Sequence, residues 1–164
     1  MAVTSQKSTE YTNITATPKV LNNTTEDHGR VRVAFFTHAQ DGAGDATSDV
    51  ALCKLPPGRV RVLMSLSRAY VNWTTSGATL DMGWDAYTAQ DGTTTAADPD
   101  GLIDGLDVDT VGFQTLEGAI AANLLTGGTY VFETKDGVVI RATSQDVALA
   151  DGDDLVGYLM YVMD

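Results

Sequence analysis

The chain has 164 residues, a formal net charge of -12 and a single cysteine. This length fits one domain, and a lone cysteine excludes an internal disulfide framework. So acidic a composition argues against nucleic acid as a partner, because phosphate binding needs a basic surface, and no apolar stretch has the length of a membrane span.

Residues 1–29 are polar and irregular, with isolated apolar residues at Tyr11, Ile14, Val20 and Leu21. They are too sparse to define a core element, so we predict an extended N-terminal arm that a partner would hold in place. The first residues lack the apolar segment of a signal peptide, and we therefore expect synthesis in the cytoplasm. Residues 30–164 are predicted to form the folded domain.

From Arg30 onward the hydrophobic pattern has a period of two, which is typical of half-buried strands. We predict strands over 30–35, over 50–55 and over 59–66, the last of them running on toward Trp73. Cys53, in the second of these strands, is expected to be a buried apolar residue. A further strand over 78–87 places Leu80, Met82 and Trp84 on one face. The glycine within it, Gly83, predicts a bulge or a close approach of another backbone.

The second half of the chain mixes loops with apolar segments. Residues 88–110 read as a long acidic loop, and the apolar spacing over 113–125 predicts a short helix. The segments 129–134 and 138–143 flank Asp136-Gly137, which predicts a β-hairpin. The final segment, 155–163, is apolar on both faces and would need either a central position in a sheet or a partner subunit.

These elements together predict an all-β fold: an antiparallel β-sandwich or jelly roll with an N-terminal extended arm and at most one short helix. A parallel sheet would need repeated long crossover helices, and the pattern contains none.

The sequence contains few candidates for catalytic or metal-binding residues. His28 and His38 have no ligand-spaced Cys, His or Glu for zinc, and no Gly-x-Ser-x-Gly motif is present. We therefore predict a non-enzymatic protein without a cofactor or a dedicated metal site. The one weak candidate is a calcium site in the acidic segment 98–109, although its spacing is not that of an EF-hand. Its ligands would be Asp98, Asp100, Asp104, Asp107 and Asp109.

Arginines form two pairs at strand spacing, Arg30 with Arg32 and Arg59 with Arg61. Each pair projects to one side of its strand, and if the two strands were neighbours the four would form a basic stripe. They are either ordinary solvated residues paired with Asp, or a docking surface for an acidic partner.

The layout around these arginines resembles the small head decoration (cement) and minor virion structural proteins of tailed bacteriophages. The resemblance rests on the segments 29–35, 55–60, 80–85 and 157–162, which read GRVRVAF, LPPGRV, LDMGWD and GYLMYV. Such proteins are typically β-sandwich or jelly-roll modules, commonly trimeric, that sit on the capsid exterior.

The resemblance implies a homotrimer on the capsid exterior that binds the major capsid protein and stabilises the assembled shell. Arg30, Arg32, Arg59 and Arg61 are the expected capsid contacts, and the arm would touch either the capsid or a neighbouring subunit. The alternative is a glycan-binding or adhesive module on a virion or tail fibre. Its candidate sugar-stacking residues are Trp73, Trp84, Tyr70 and Tyr87, although the alternation of Trp84 with Leu80 and Met82 favours core and interface positions for them.

Overall fold

The computed structural model describes residues 15–18, 20, 30–116 and 130–163. The described chain contains twelve strands and one short 3-10 turn. The strands are β1 (Val31–Ala39), β2 (Asp49–Leu55), β3 (Gly58–Val62), β4 (Arg68–Asn72), β5 (Thr79–Trp84), β6 (Tyr87–Thr88), β7 (Thr94–Thr95), β8 (Asp98–Asp107), β9 (Gly112–Thr115), β10 (Tyr130–Thr134), β11 (Val138–Ser144) and β12 (Asp154–Met163). The 3-10 turn, Met64–Leu66, separates β3 from β4.

The first sheet is organised around β12. One edge of β12 pairs with β1 along its whole length, and the other pairs with β4 and then with β3. β9 and β10 extend the sheet beyond β4 and β3. β12 therefore takes a central position in the sheet, as one of the two predicted alternatives required. Its outer face is not fully covered by the described residues, since Val156 is exposed, so a partner subunit stays a prediction.

The second sheet has the order β2-β11-β5-β8, and all its pairings are antiparallel. β3 and β4 form one interrupted strand, and β9 and β10 share one position in the first sheet. The molecule is therefore an eight-position, two-sheet jelly roll, which confirms the predicted fold class. β6 and β7 form a separate small hairpin.

The core lies between the two sheets and follows the alternation in the sequence. Leu80, Met82 and Trp84 of β5 are buried, as predicted, and pack with residues from the facing sheet such as Leu155 and Leu159. Cys53 is half-buried against this core, and burial raises the pKa of its thiol to about 11.

Gly83 confirms the predicted close backbone approach. A Cβ placed there would lie 2.6 Å from the carbonyl oxygen of Pro99 and nearer still to that of Asp98. The β5–β8 register shifts on both sides of Met82, consistent with a bulge beside this contact. Only a residue without a side chain allows β8 to lie this close to β5.

Several predictions of local structure were wrong. Asp136-Gly137 does form a tight turn, with φ of +85° at Gly137, but β10 pairs with β3 and β11 pairs with β2 and β5. The turn therefore connects the two sheets and does not close a hairpin. The predicted helix begins in a strand, since β9 includes Phe113, and residues 117–125 of that prediction lie outside the described residues.

The predicted acidic loop 88–110 was also wrong in its central part, because β8 is a ten-residue strand in the second sheet. Its period of two is interrupted: Leu102 and Ile103 are neighbours and both are buried. The strand predicted to run on from 59–66 is broken by the 3-10 turn. The boundary between the predicted arm and the folded domain stays a prediction, although β1 begins at Val31.

Candidate interaction surface

The outer side of the first sheet carries exposed apolar residues where a solvent-facing sheet normally carries polar ones. On β1 the core-facing Phe36 is buried, while Val31, Val33 and Phe35 point the other way and are exposed. Phe35 is 75% exposed. The alternation that forms this strand therefore leaves an apolar row on the outside of the sheet.

Aromatic side chains from four strands continue this row. Phe35 makes an edge contact with Tyr158 of β12, with ring centroids 6.0 Å apart. Phe113 of β9, 84% exposed, makes another with Tyr70 of β4 at 5.4 Å. The β-sheet register places all four on the outer face, because Tyr158 pairs with Phe35 and Val156 pairs with Tyr70.

Between these two aromatic pairs runs a groove of about 220 Å³, which we call the aromatic groove. It is smaller than the ~300–1,000 Å³ of typical small-molecule sites and has room for one or two apolar side chains. Nη1 of Arg68 donates to the carbonyl oxygens of Ser65 and Ser67, at 3.3 and 3.2 Å. The groove is lined by Phe35, Arg68, Ala69, Tyr70, Phe113, Val156, Gly157 and Tyr158.

The four predicted contact arginines meet at one end of the first sheet, which we call the basic end. Val162 of β12 pairs with Val31 on one side and Arg61 on the other, so β1 and β3 are separated by β12. Arg32 lies on the same side of the sheet as buried Val62, whereas Arg61 lies on the outer side. The structure gathers the arginines around one end of the sandwich and does not align them in a single stripe.

Within the basic end the arginines differ in their partners. Arg59 forms an ion pair with Glu133 of β10 at 3.3 Å, and both side chains are more than one third exposed. Such an exposed pair adds little to stability. Arg30 and Arg32 are exposed. Capsid contact by these residues stays a prediction.

The opposite end of the sandwich is acidic. The loops 40–48 and 145–153 lie together there, joined by a bridge between Gly44 and Leu149 and by a hydrogen bond of 2.9 Å from Gly42 N–H to Asp151. These loops contain no lysine or arginine. These two loops therefore carry only acidic charges, whereas the basic end also holds acids such as Glu133 and Asp136 beside its arginines. The acids of the two loops are Asp41, Asp45, Asp146, Asp151 and Asp153.

The calcium candidates are spread along β8 and the residues after it. Asp98 lies at one end of the strand, opposite Trp84, and Asp107 lies at the other, opposite Thr79. A hydrogen bond with Asp100, and then burial, raise the pKa of Asp98. The backbone N–H of Asp109 donates to Asp107 at 3.1 Å. Across the described ranges, no three acidic, His or Cys side chains come together as a metal site.

Asp81, on the adjacent strand β5, was not among the predicted site residues. Its carboxylate is buried and accepts a hydrogen bond of 2.7 Å from Gly105 N–H. Burial is the main reason that its pKa is raised. The side chain connects β5 to the bend in β8, which is a structural role.

The tryptophans proposed for sugar stacking belong to the core. Trp73 and Trp84 are only 3% and 5% exposed, and the indole Nε1 of Trp84 donates to the carbonyl oxygen of Ala96 at 3.2 Å. That part of the glycan-binding alternative was wrong, because alternation with Leu80 and Met82 turns Trp84 inward. Tyr70 and Tyr87 are half-buried.

The structure describes only one of the two histidines. His38 is half-buried, and its Nε2 lies 3.4 Å from the side-chain oxygen of Gln40. His28 lies outside the described residues. Sequence reasoning missed Phe35 and Phe113 as surface residues, since Phe35 precedes another phenylalanine and Phe113 was assigned to a helix.

The described part of the chain contains no helix long and apolar enough to cross a membrane. No protein-family model matches the sequence, and no curated protein matches it. The fold does match solved structures of viruses at low sequence identity.

One match is a chain of the cyanophage Pam1 capsid asymmetric unit, with 17% identity and a TM-score of 0.54, covering 83% of this chain and 86% of that one. Another is the structure of infectious bursal disease virus, Gt strain, with 12% identity and a TM-score of 0.50. It covers 84% of this chain and 33% of that one, so the present chain spans about one third of that protein. Both matches define the fold class: a jelly roll also found in virus particles.

Proposed function

We propose that this protein is a structural component of a virus particle, and specifically a decoration protein that binds the exterior of an assembled phage capsid and stabilises it. The observation that carries the proposal is the jelly-roll match to the cyanophage capsid chain. That match covers more than four fifths of both chains, so the likeness extends to the whole module.

The described surfaces support a role in binding and not in catalysis. The exposed features are an apolar groove and a basic end, and the residues around them are phenylalanine, tyrosine, valine and arginine. Apolar patches on soluble domains mark sites of association. We therefore propose that the protein is not an enzyme.

We further propose that the basic end faces the major capsid protein and that the acidic end points away from the shell. Charge complementarity would orient the module as it approaches, and a module that binds only the assembled lattice stabilises that lattice by mass action. The proposed assembly on the shell is a homotrimer, which would add avidity to each weak contact.

The test uses particles of the virus that encodes the protein. Mass spectrometry of purified particles should find the chain, and electron cryomicroscopy should place its density outside the shell. Particles lacking the chain should lose their DNA at a lower temperature and regain wild-type resistance when the purified protein is added back. Absence from particles, or density inside the shell, would refute the proposal.

A matched pair of variants tests the orientation. Arg61→Gln and Ser76→Glu each make the net charge more negative by one, but Ser76 lies in the loop after β4, away from the basic end. We expect Arg61→Gln to weaken binding to particles several-fold at low salt and Ser76→Glu to leave it unchanged. Equal effects of the two variants would contradict docking through the basic end.

A further inference from the structure

We propose that the N-terminal arm of one copy docks in the aromatic groove of a second copy. The proposed function leaves open whether the arm contacts the capsid or a neighbouring subunit, and this inference assigns it to the subunit. It concerns association between copies in solution, so it can fail while capsid binding holds, and the reverse.

No described residue covers the groove in the single chain. Phe35 and Phe113 are 75% and 84% exposed. A phenylalanine covers 150–250 Å² when buried, so these two rings alone leave on the order of 300 Å² of apolar surface in water. Val33 and Val156 add to it. A patch of this size on a soluble domain is usually covered by a partner.

The arm contains apolar residues but too few of them to form a core. Its few apolar residues, Tyr11, Ile14, Val20 and Leu21, are separated by polar ones and form no core pattern of their own. Val20, which the structure describes, is 49% exposed. The described part of one chain therefore leaves both an apolar groove and the arm residue Val20 in contact with water. Exchange of arms between copies would cover both.

The length and origin of the arm suit this exchange. Its last residue directly precedes Arg30, and Phe35, which lines the groove, lies five residues further along β1. Twenty-nine extended residues reach up to ~95 Å, whereas a domain of this size has a radius of gyration of about 15 Å. The arm can therefore cross to the groove of a neighbouring copy.

The features of the groove favour an arm over other occupants. Its volume, about 220 Å³, suits one or two apolar side chains, and its largely apolar lining offers few partners for the hydroxyl groups of a sugar. Two grooves packed face to face would bring the two copies of Arg68 toward each other, and like charges oppose that arrangement. The arm carries three acidic and two lysine residues and is slightly acidic overall.

An exchange of this kind is heterologous, because the arm of one copy meets the groove of the next. It closes into a ring when the rotation between copies allows it, which would account for a cyclic oligomer. It also predicts a complementation result that symmetric face-to-face contact cannot produce.

The experiment uses full-length chains and sedimentation velocity at matched concentrations. The arm variant carries Tyr11→Ser, Ile14→Ser, Val20→Ser and Leu21→Ser. The groove variant carries Phe113→Glu, at a position so exposed that folding is retained, which circular dichroism verifies. We expect an oligomer for the wild type and monomers for each variant alone. An equimolar mixture should give a 1:1 heterodimer that grows no further.

Two controls sharpen the test. Leu66→Ser removes an exposed apolar residue that does not line the groove, and it should leave the oligomer intact. A fluorescent peptide of residues 5–25 should bind the arm variant and lose at least tenfold in affinity when Phe113→Glu is added. The wild type is measured over a 100-fold range of concentration that ends at its solubility limit. The proposal would be overturned by a wild type that stays monomeric over this range, by an oligomeric arm variant, or by a mixture that stays monomeric.

Discussion

Arg141 of β11 donates two hydrogen bonds to the carboxylate of Asp85, from Nε at 2.7 Å and from Nη2 at 2.9 Å. Its Nη1 contacts the carboxylate of Asp49 on β2. One guanidinium thus connects β2, β11 and the residue that follows β5, on the outer side of the second sheet. This network holds together strands that are far apart in the sequence.

Replacing Arg141 with Met should destabilise the protein by about 1–2 kcal/mol, because two carboxylates lose a charge-assisted partner. The value is at the low end since the groups are about one third exposed, and solvent screens the pair. Urea denaturation at pH 7 measures the change. Lys54→Met, at an exposed position on β2, is the control and should cost less than ~0.5 kcal/mol. Equal losses would contradict the network.

The same pair should make stability depend on pH. The hydrogen bonds from Arg141 lower the pKa of Asp85 below its ordinary value. A depressed carboxyl pKa contributes stability above the unfolded-state value, near 4, and this contribution is lost as pH falls through the folded-state value. The stability difference between wild type and Arg141→Met should therefore shrink between pH 7 and pH 3. A constant difference would show that packing, and not charge, dominates.

The carboxyl group of Asp98 should affect the pH dependence of stability in the opposite direction. Because its pKa is raised by the hydrogen bond with Asp100 and by burial, ionising it at pH 7 costs stability. Asp98→Asn should raise the melting temperature at pH 7, and the gain should fade as pH drops and the wild-type carboxyl takes up its own proton. Asp136→Asn, in an exposed turn, should change little at either pH. A lower melting temperature for Asp98→Asn at pH 7 would refute this reading.

Gly83→Ala should cost about 2–4 kcal/mol, because the new Cβ would meet the backbone of Asp98 and Pro99, which cannot move without disrupting β8. Gly105→Ala is the control. Gly105 has φ of +66° and open space around its Cα, so only left-handed strain is added there, about 1–2 kcal/mol. Denaturant melts of both variants test the order. A larger loss at Gly105 would contradict the close approach.

Cys53 should react slowly in the folded protein. Burial raises the pKa of its thiol from 9.0 to about 11, so at pH 8 the thiolate fraction falls by about 100-fold. The rate of reaction with Ellman's reagent is measured in buffer, where the protein is folded, and in about 6 M guanidinium, where it is unfolded. We expect complete reaction within the mixing time only in guanidinium. Similar rates would show that the thiol is accessible.

Alternation in the sequence was enough to predict several strands and their buried faces. Leu80, Met82 and Trp84 face the core as their spacing indicated, and Gly83 lies where another backbone approaches. These features depend on local geometry, since side chains of a strand alternate sides wherever the strand lies. The same local rule failed for β8, where a register shift buries both Leu102 and Ile103.

Strand pairing could not be predicted in this way. A tight turn such as the one at Gly137 can close a hairpin or connect two sheets. Here it connects two sheets, because β10 belongs to the first sheet and β11 to the second. The pairing follows from how all the strands together bury their apolar sides. For the same reason the basic end was only partly foreseen: the register of β12 decided that Arg32 and Arg61 lie on opposite sides of the sheet.

The sequence by itself determined an acidic, all-β module with a polar N-terminal segment, because composition and period-two patterns are properties of the chain. Only the tertiary structure decided that Phe35, Tyr70, Phe113 and Tyr158 form one groove. Their positions span more than a hundred residues, and hydrogen bonds of the sheet bring β1, β12, β4 and β9 side by side. Surfaces of this kind arise from long-range pairing, which local periodicity does not encode.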